Sequence, residues 1–296
     1  STVLASAAPL IVAPAMDAHM FDNPVTRENI DRLELRGAYI AGPASGHLAS
    51  GLVGKGRLLE PQELMGCIRL ILGRNGDLAN RKIVISAGGT QEAVDPVRVL
   101  TNHSSGKMGY AIAEAGRDRG ASVVVVAAPT AIEDPVGVRV LRVRSALEMR
   151  EVVVRECKDA DAVVMAAAVS DWRPIDVADQ KIKKEESDSW ELELILNPDI
   201  IADLPAEKLV KVGFAAESQH LTENARSKLH SKGLDLIAAN DITSDDSGFA
   251  SDNNRITLLD RDGGVESLPL MSKYDVGHTI LDRVGQLFKQ PLKQRC

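Results

Sequence analysis

The run Ser122-Val-Val-Val-Val-Ala127 limits the possible folds more than any other segment of this chain. Successive side chains of a strand point to opposite faces, so four valines in a row are apolar on both faces and need cover on both. A parallel sheet with a helix layer on each side gives that cover, and its crossovers require helices between strands. The flanking sequence has that alternation. Strands are predicted at residues 82–87, 138–143, 162–167, 210–214 and 234–239. Helices are predicted at 107–119 (stopped by Gly120), 146–157, 199–204 and 222–232. Residues 255–260 and 265–270 flank Asp262-Gly263-Gly264 as a hairpin, and a helix at 273–288 follows. The expected fold is α/β: a Rossmann-like open, mostly parallel sheet with helices on both faces and a C-terminal β-hairpin. Its ligands belong at the carboxyl ends of the strands.

Residues 1–75 have another character: a strand at 10–13, a loop bearing Pro and Met, a helix at 25–36, glycine-rich stretches over 42–56 and a helix at 61–72. Gly73-Arg74-Asn75-Gly76-Asp77 is turn chemistry, which sets the expected boundaries at 1–75, a linker at 76–80 and a domain at 81–296. Cys67, Cys157 and Cys296 are too few and too scattered for a disulfide framework or a zinc site. With 35 Lys plus Arg against 42 Asp plus Glu, the net charge is −7, which argues against a nucleic-acid coat or a membrane-surface protein. Four Phe, three Tyr and two Trp are too few for a base-stacking platform. No apolar run could span a bilayer. The start, Ser1-Thr2-Val3-Leu4, has no basic region of a signal peptide and reads as a cut end, so a cytoplasmic setting is expected.

Three loops follow apolar strands. Ser86-Ala-Gly-Gly-Thr90 lets backbone approach a phosphate or nucleotide, though a tight turn alone would look the same. Asn102-His-Ser-Ser-Gly-Lys107 enters a helix and offers free N–H groups, hydroxyls and a cation to an anion, with Arg98 just upstream; a plain N-cap is the other reading. His103 has no assigned role. Ala166-Ala-Ala-Val-Ser-Asp171 puts small residues and a carboxylate at the sheet edge, suited to ribose hydroxyls or a metal. Lys181-Ile-Lys-Lys184 follows, either a cationic lid over phosphates or, beside Glu185 and Glu186, a solvated face. Lys228 and Lys232 share a helix face.

Other chemistries lose their support. No G-x-G-x-x-G opens the first βα turn, and the second strand ends in Ala127-Ala128-Pro129 rather than an acid. Tyr39, Tyr110 and Tyr274 have Pro43, Glu114 and His278 four residues on, where a short-chain reductase has Lys. There is no H-E-x-x-H and no G-x-S-x-G.

Taken together, these segments resemble a known family. Asp95-Pro-Val-Arg98 with Thr101-Asn-His-Ser-Ser-Gly-Lys-Met-Gly109 is similar to the signature of phosphopantothenate–cysteine ligase. So are Ala166–Asp171, Lys181–Lys184, Asn197-Pro-Asp-Ile200, Val212-Gly-Phe-Ala-Ala-Glu217 and Ala239-Asn-Asp241, all in the family's order. The N-terminal part resembles the back half of the flavodoxin-like flavoprotein decarboxylase fused to that ligase in bacteria. Pro14-Ala-Met-Asp-Ala-His-Met20 is similar to its Pro-x-Met-Asn-x-x-Met loop, and residues 48–58 to its flap. Asp17 stands where that family has Asn, and Ser50 where it has the Cys that acts as an acid. The front of that domain, with most flavin loops and the catalytic His, has no counterpart here, so the fragment is not expected to decarboxylate unaided.

The resemblance implies coenzyme A biosynthesis. The carboxylate of 4′-phosphopantothenate attacks the α-phosphate of CTP, releasing pyrophosphate. The amine of L-cysteine then attacks the acyl-cytidylate, giving 4′-phosphopantothenoylcysteine and CMP; the parent also decarboxylates that product with FMN. CTP over ATP rests on the bacterial type of fusion. Lys181 would stabilise charge on the triphosphate, Asn102 would hold the activated carbonyl, and Arg98 and Ala168 would meet the acyl substrate. Met165, Ala166, Ala167, Asp171, Asn197, Pro198, Asp199, Ile200, Phe214, Lys228 and Lys232 would form the nucleotide site, with Mg²⁺ as cofactor and no metal ligands assigned. Arg98, Lys107, Lys181, Lys228 and Lys232 are expected to converge on one pocket. A homodimer through the ligase domain is implied, and a higher oligomer in the parent. The other readings are the parent's decarboxylase activity and a non-catalytic nucleotide-binding scaffold.

Overall fold

The structure, a computed structural model, describes residues 2–183, 190–204, 208–217, 221–241 and 251–290. Two compact units are formed, one by residues 1–75 with 135–137 and the other by 76–134 with 138–296.

In the first unit, strands Ile11–Val12 and Tyr39–Ile40 pair in parallel, and Ala44–His47 pairs antiparallel with Val53–Arg57. Its helices begin as their sequences dictate. Asn23 accepts the Val25 N–H ahead of Pro24–Leu35, and Glu60 and Glu63 form a reciprocal capping box ahead of Pro61–Gly73, whose first residue is proline.

The second unit is built on an eight-stranded sheet. In chain order its elements are β1 (Lys82–Ala87), β2 (Gln91–Ala93), β3 (Val99–Thr101), α1 (Lys107–Arg117), β4 (Ser122–Ala127), β5 (Arg139–Arg142) and α2 (Ala146–Glu156). There follow β6 (Ala162–Met165), β7 (Trp172–Pro174), β8 (Leu194–Leu196), β9 (Val210–Glu217), α3 (Leu221–Ser231), β10 (Leu236–Asp241), β11 (Ile256–Asp260), β12 (Val265–Ser267) and α4 (Lys273–Lys289). The sheet order is β12-β11-β10-β9-β6-β1-β4-β5. The six strands from β10 to β5 run parallel, and β11 and β12 return as the antiparallel hairpin. Strand β2 pairs with β3, and β7 with β8, as separate ribbons.

The valine run behaves as its pattern requires. Val123 and Val125 face one apolar layer with Ile83, Ile85, α1 and α4, whereas Val126 faces the other with Val84, α2 and α3. Leu78, within the segment 76–80, is fully buried in the first of these layers. Ser145 caps α2 by accepting the Glu148 N–H, and Ser272 caps α4 through the Asp275 N–H. Cys157 is packed under α2, where burial pushes its thiol up to about 12, and it is a core residue rather than a nucleophile.

Three expectations are corrected. The helix at 199–204 is a single 3₁₀ turn, Ile201–Asp203, because Leu204 is extended (ψ 148°) ahead of Pro205. The strand at 162–167 ends at Met165, since the N–H groups of Ala167 and Ala168 leave the ladder for Ser86 Oγ and the Gly88 carbonyl. The strand at 210–214 runs on to Glu217, paired with β10 from Val212 to Glu217.

Candidate active site

Successive parallel strands are laid down from β1 outward through β4 to β5, and the chain then returns to place β6 on the other side of β1. The gap between the β1 and β6 carboxyl ends is therefore a topological switch point, where open α/β sheets keep their ligands. The loops after these strands are laced together. Gly89 and Ala168 form a parallel bridge, the Thr90 N–H donates to the Ala168 carbonyl at 3.3 Å, and the Ser170 N–H donates to Thr90 Oγ1 at 2.9 Å. Glycine is needed here: a Cβ on Gly89 would lie 2.6 Å from the Asn102 carbonyl oxygen.

From that lacing the loop ahead of α1 is positioned. Asn102 Nδ2 donates to the Val169 carbonyl at 3.2 Å, and Thr130 Oγ1 donates to the Ser105 carbonyl at 2.8 Å. Gly106 takes the left-handed conformation (φ 80°) and Ser105 Oγ accepts the Lys107 N–H. A cavity of about 490 Å³ opens at this helix terminus. Residues 102–108, 166–169 and Asp171 line it with Phe214, Asn240, Asn254 and Lys273. Lys107 Nζ meets Asp252 Oδ1 at 2.6 Å, and Lys273 Nζ donates to the Ser251 carbonyl. Lys273 is buried. Burial first, then the charge of Lys107, pulls its ammonium below the ordinary lysine value, against the opposing pull of Asp252. Among the described residues the buried Oδ1 of Asn240 has no hydrogen-bond partner, and Asn240 lines the same cavity, where that oxygen can accept from an N–H or O–H of a ligand.

A second cavity, about 590 Å³, lies on the other side of the Ala167–Asp171 loop. Met165, residues 196–201, Phe214, Lys228 and Lys232 line it. Asn197 is fixed by donating to the Ser170 carbonyl (2.8 Å) and by accepting from Arg173 Nη1 (3.1 Å), while its own N–H donates to the Asp171 carbonyl at 2.7 Å. Asp199 Oδ2 holds Lys232 Nζ at 3.2 Å. Ala167, Val169, Asp171 and Phe214 line both cavities, so they form the partition between them.

The expected single pocket is thus two adjoining cavities. Lys107 lines the first, Lys228 and Lys232 the second, and Arg98 and Lys181 line neither. Arg98 pairs with Asp95 at 3.3 Å, and Lys181 is exposed on a segment laid over the β2–β3 turn. Lys183 is exposed as well, and Lys184 lies outside the described residues. Lys273 and Asn254 carried no recognisable pattern. Asn240 did lie in a recognised motif, but only the tertiary structure brings it to the cavity. Within the first unit, Ser50 Oγ donates to Asp17 Oδ2 at 2.5 Å across 33 residues of sequence, and that bond and the His19 N–H hold the Asp17 carboxyl below its ordinary value.

Comparison with known proteins agrees with this architecture. The family model described as DNA/pantothenate metabolism flavoprotein C-terminal domain matches residues 78–287, and a flavoprotein model matches residues 1–73. The coenzyme A biosynthesis bifunctional protein CoaBC of Bacillus subtilis is 42% identical over 295 residues, spanning 98% of this chain and 72% of its own length. That of Escherichia coli strain K12 is 41% identical over 286 residues, 95% of this chain and 70% of its own. A crystal structure of the C-terminal domain of such a bifunctional protein superposes with a TM-score of 0.63 at 37% identity, covering 72% of this chain and 98% of that one. The DNA/pantothenate metabolism flavoprotein from Streptococcus pneumoniae shares the fold at 23% identity, with a TM-score of 0.59, over 70% of this chain and 99% of that one. This chain belongs to the DNA/pantothenate metabolism flavoprotein C-terminal domain family, with the bifunctional coenzyme A biosynthesis proteins among its relatives.

Proposed function

We propose that the second unit joins 4′-phosphopantothenate to L-cysteine at the expense of CTP, as the ligase half of a bifunctional enzyme of coenzyme A biosynthesis. The observation that carries this reading is the pair of cavities sharing one thin partition at the switch point. Two anionic substrates that must react with each other need adjoining sites, and each cavity has its own cations: Lys107 and Lys273 in one, Lys228 and Lys232 in the other.

In this reading the acyl substrate occupies the cavity at the α1 terminus and the nucleotide the cavity at residues 197–200. The acyl carboxylate oxygen forms a bond to the α-phosphorus as the bond to the pyrophosphate oxygen breaks. Fixed donors and cations do this work by placing the reactants and neutralising charge, since phosphoryl transfer needs little covalent help. Lys181 reaches the leaving pyrophosphate from its exposed strap. Asn102, oriented by its bond to the Val169 carbonyl, donates to the acyl carbonyl oxygen while the cysteine amine attacks, loses a proton and expels CMP. Mg²⁺ would enter with the nucleotide and supply charge neutralisation there, and no residue of this chain is assigned to it.

FMN belongs to the parent's decarboxylase step. The Ser50 hydroxyl is engaged by Asp17 and is a far weaker acid than a thiol, so this pair does not fit the proton donor's part in that step.

The test is direct. Purified chain, Mg²⁺, 4′-phosphopantothenate and cysteine are mixed with CTP or ATP, and nucleoside monophosphate and pyrophosphate are counted. Stoichiometric CMP and pyrophosphate are expected, whereas a scaffold would bind nucleotide and release neither. Lys181→Gln should slow pyrophosphate release at least a hundredfold. Asn102→Ala should leave pyrophosphate release intact and retard product formation, visible as an accumulated acyl-cytidylate in single-turnover runs.

A further inference from the structure

The hairpin β2–β3 links the two groups assigned to chemistry. Its base leads directly into Asn102, and its turn contains Asp95, whose side chain is fully buried. The two carboxylate oxygens have separate tasks. Oδ1 accepts the N–H groups of Val97 and Arg98, each at 2.8 Å, and closes the turn. Oδ2 accepts the Ile182 N–H at 3.2 Å and the Arg98 Nη1 at 3.3 Å. Arg98 Nη2 in turn donates to the Ile182 carbonyl at 3.3 Å. Both backbone polar groups of Ile182 are therefore held by one Asp–Arg pair. A second tether lies just upstream, where the Ala178 N–H donates to the Val94 carbonyl at 3.1 Å. Lys181 sits between these tethers, with its side chain exposed.

An Asx-type turn requires only one side-chain acceptor. The second oxygen, and the buried charge that comes with it, therefore serves the strap and Arg98. A lysine stem has many rotamers, so an ammonium that must meet a developing charge needs a backbone held in place. We propose that Asp95 is a positioning residue of the ligase reaction, fixing through Ile182 the point from which Lys181 reaches the triphosphate. This rests on the role given to Lys181 above.

Asp95→Asn separates the two tasks. Its amide oxygen can replace Oδ1 and keep the turn, while its amide nitrogen, a donor, cannot accept from Ile182. The expected result is a melting temperature close to that of the parent chain and pyrophosphate release slowed about tenfold. The loss should not compound with Lys181→Gln: the double variant should release pyrophosphate as slowly as Lys181→Gln alone. Ile182→Pro removes the same donor from the other side, leaves Asp95 untouched and should show the same loss. Full activity in either single variant overturns the inference, as do losses that multiply in the double variant. A parent chain that releases no pyrophosphate overturns the ligase reading and this inference with it; an active parent with multiplying losses overturns this inference alone.

Discussion

Lys273 occupies the first position of α4, where unpaired backbone N–H groups already make the local potential positive, yet it is only 6% exposed. Lys107 adds a second cation, and Asp252 is the carboxylate facing both. With its folded value below the unfolded one, Lys273 binds fewer protons folded than unfolded between that folded value and 10.5, so stability rises with pH across that window. Lys273→Met removes that dependence. The difference in melting temperature between parent and variant should shift in the parent's favour from pH 7 to pH 9.5, and a difference that stays constant would contradict the shift. Lys228 and Lys232 could be marked in the sequence because helical spacing puts them on one face. No such spacing marks Lys273, whose ammonium is lowered by burial and by the charge of Lys107, on a helix far earlier in the chain.

At the scale of elements, α1 meets β1 through Gly109. A Cβ there would lie 2.6 Å from the Ala87 Cβ and 2.9 Å from the Ser86 carbonyl oxygen. Gly109→Ala should therefore push α1 off the sheet, destabilise the fold by about 1–3 kcal/mol and weaken binding at the helix terminus, measured by denaturant titration and by 4′-phosphopantothenate affinity. Elements with local determinants were legible in the amino-acid sequence. Short apolar runs marked β1 and β4, and Gly120 marked the stop of α1, whereas the caps Ser145 and Ser272 of α2 and α4 emerged only in the structure. Where boundaries slipped, the cause was not local. Strand β6 stops because Ser86, eighty-one residues away, draws the Ala167 N–H out of the ladder. The turn at Ile201–Asp203 stays 3₁₀ because Asp199 Oδ1 takes the Ile201 N–H and the chain must straighten before Pro205.

At the scale of the whole molecule, a net charge of −7 coexists with two cation-bearing cavities, so the average charge described the surface and not the sites. The ribbon β7–β8 and its flanks carry Trp172, Ile175, Val177, Ile195 and Leu196 exposed, an apolar face of the kind that marks an association surface. The family resemblance implies a homodimer, and we propose this face as its contact. The chain should sediment as a dimer, and Ile195→Asp combined with Leu196→Asp should shift it to a monomer without unfolding it; a monomeric parent would sink the proposal. The sequence by itself determined the layered α/β architecture, because side-chain periodicity and capping act over a few residues. It also carried the motifs whose order marks the family. Only the tertiary structure decided that the cations divide between two cavities, that Asn240 and Lys273 join one of them, and that Asp95 holds the strap bearing Lys181. Those are contacts across dozens of residues, made when strands pair and loops are laced together, and no local pattern encodes which distant partner a buried polar atom will meet.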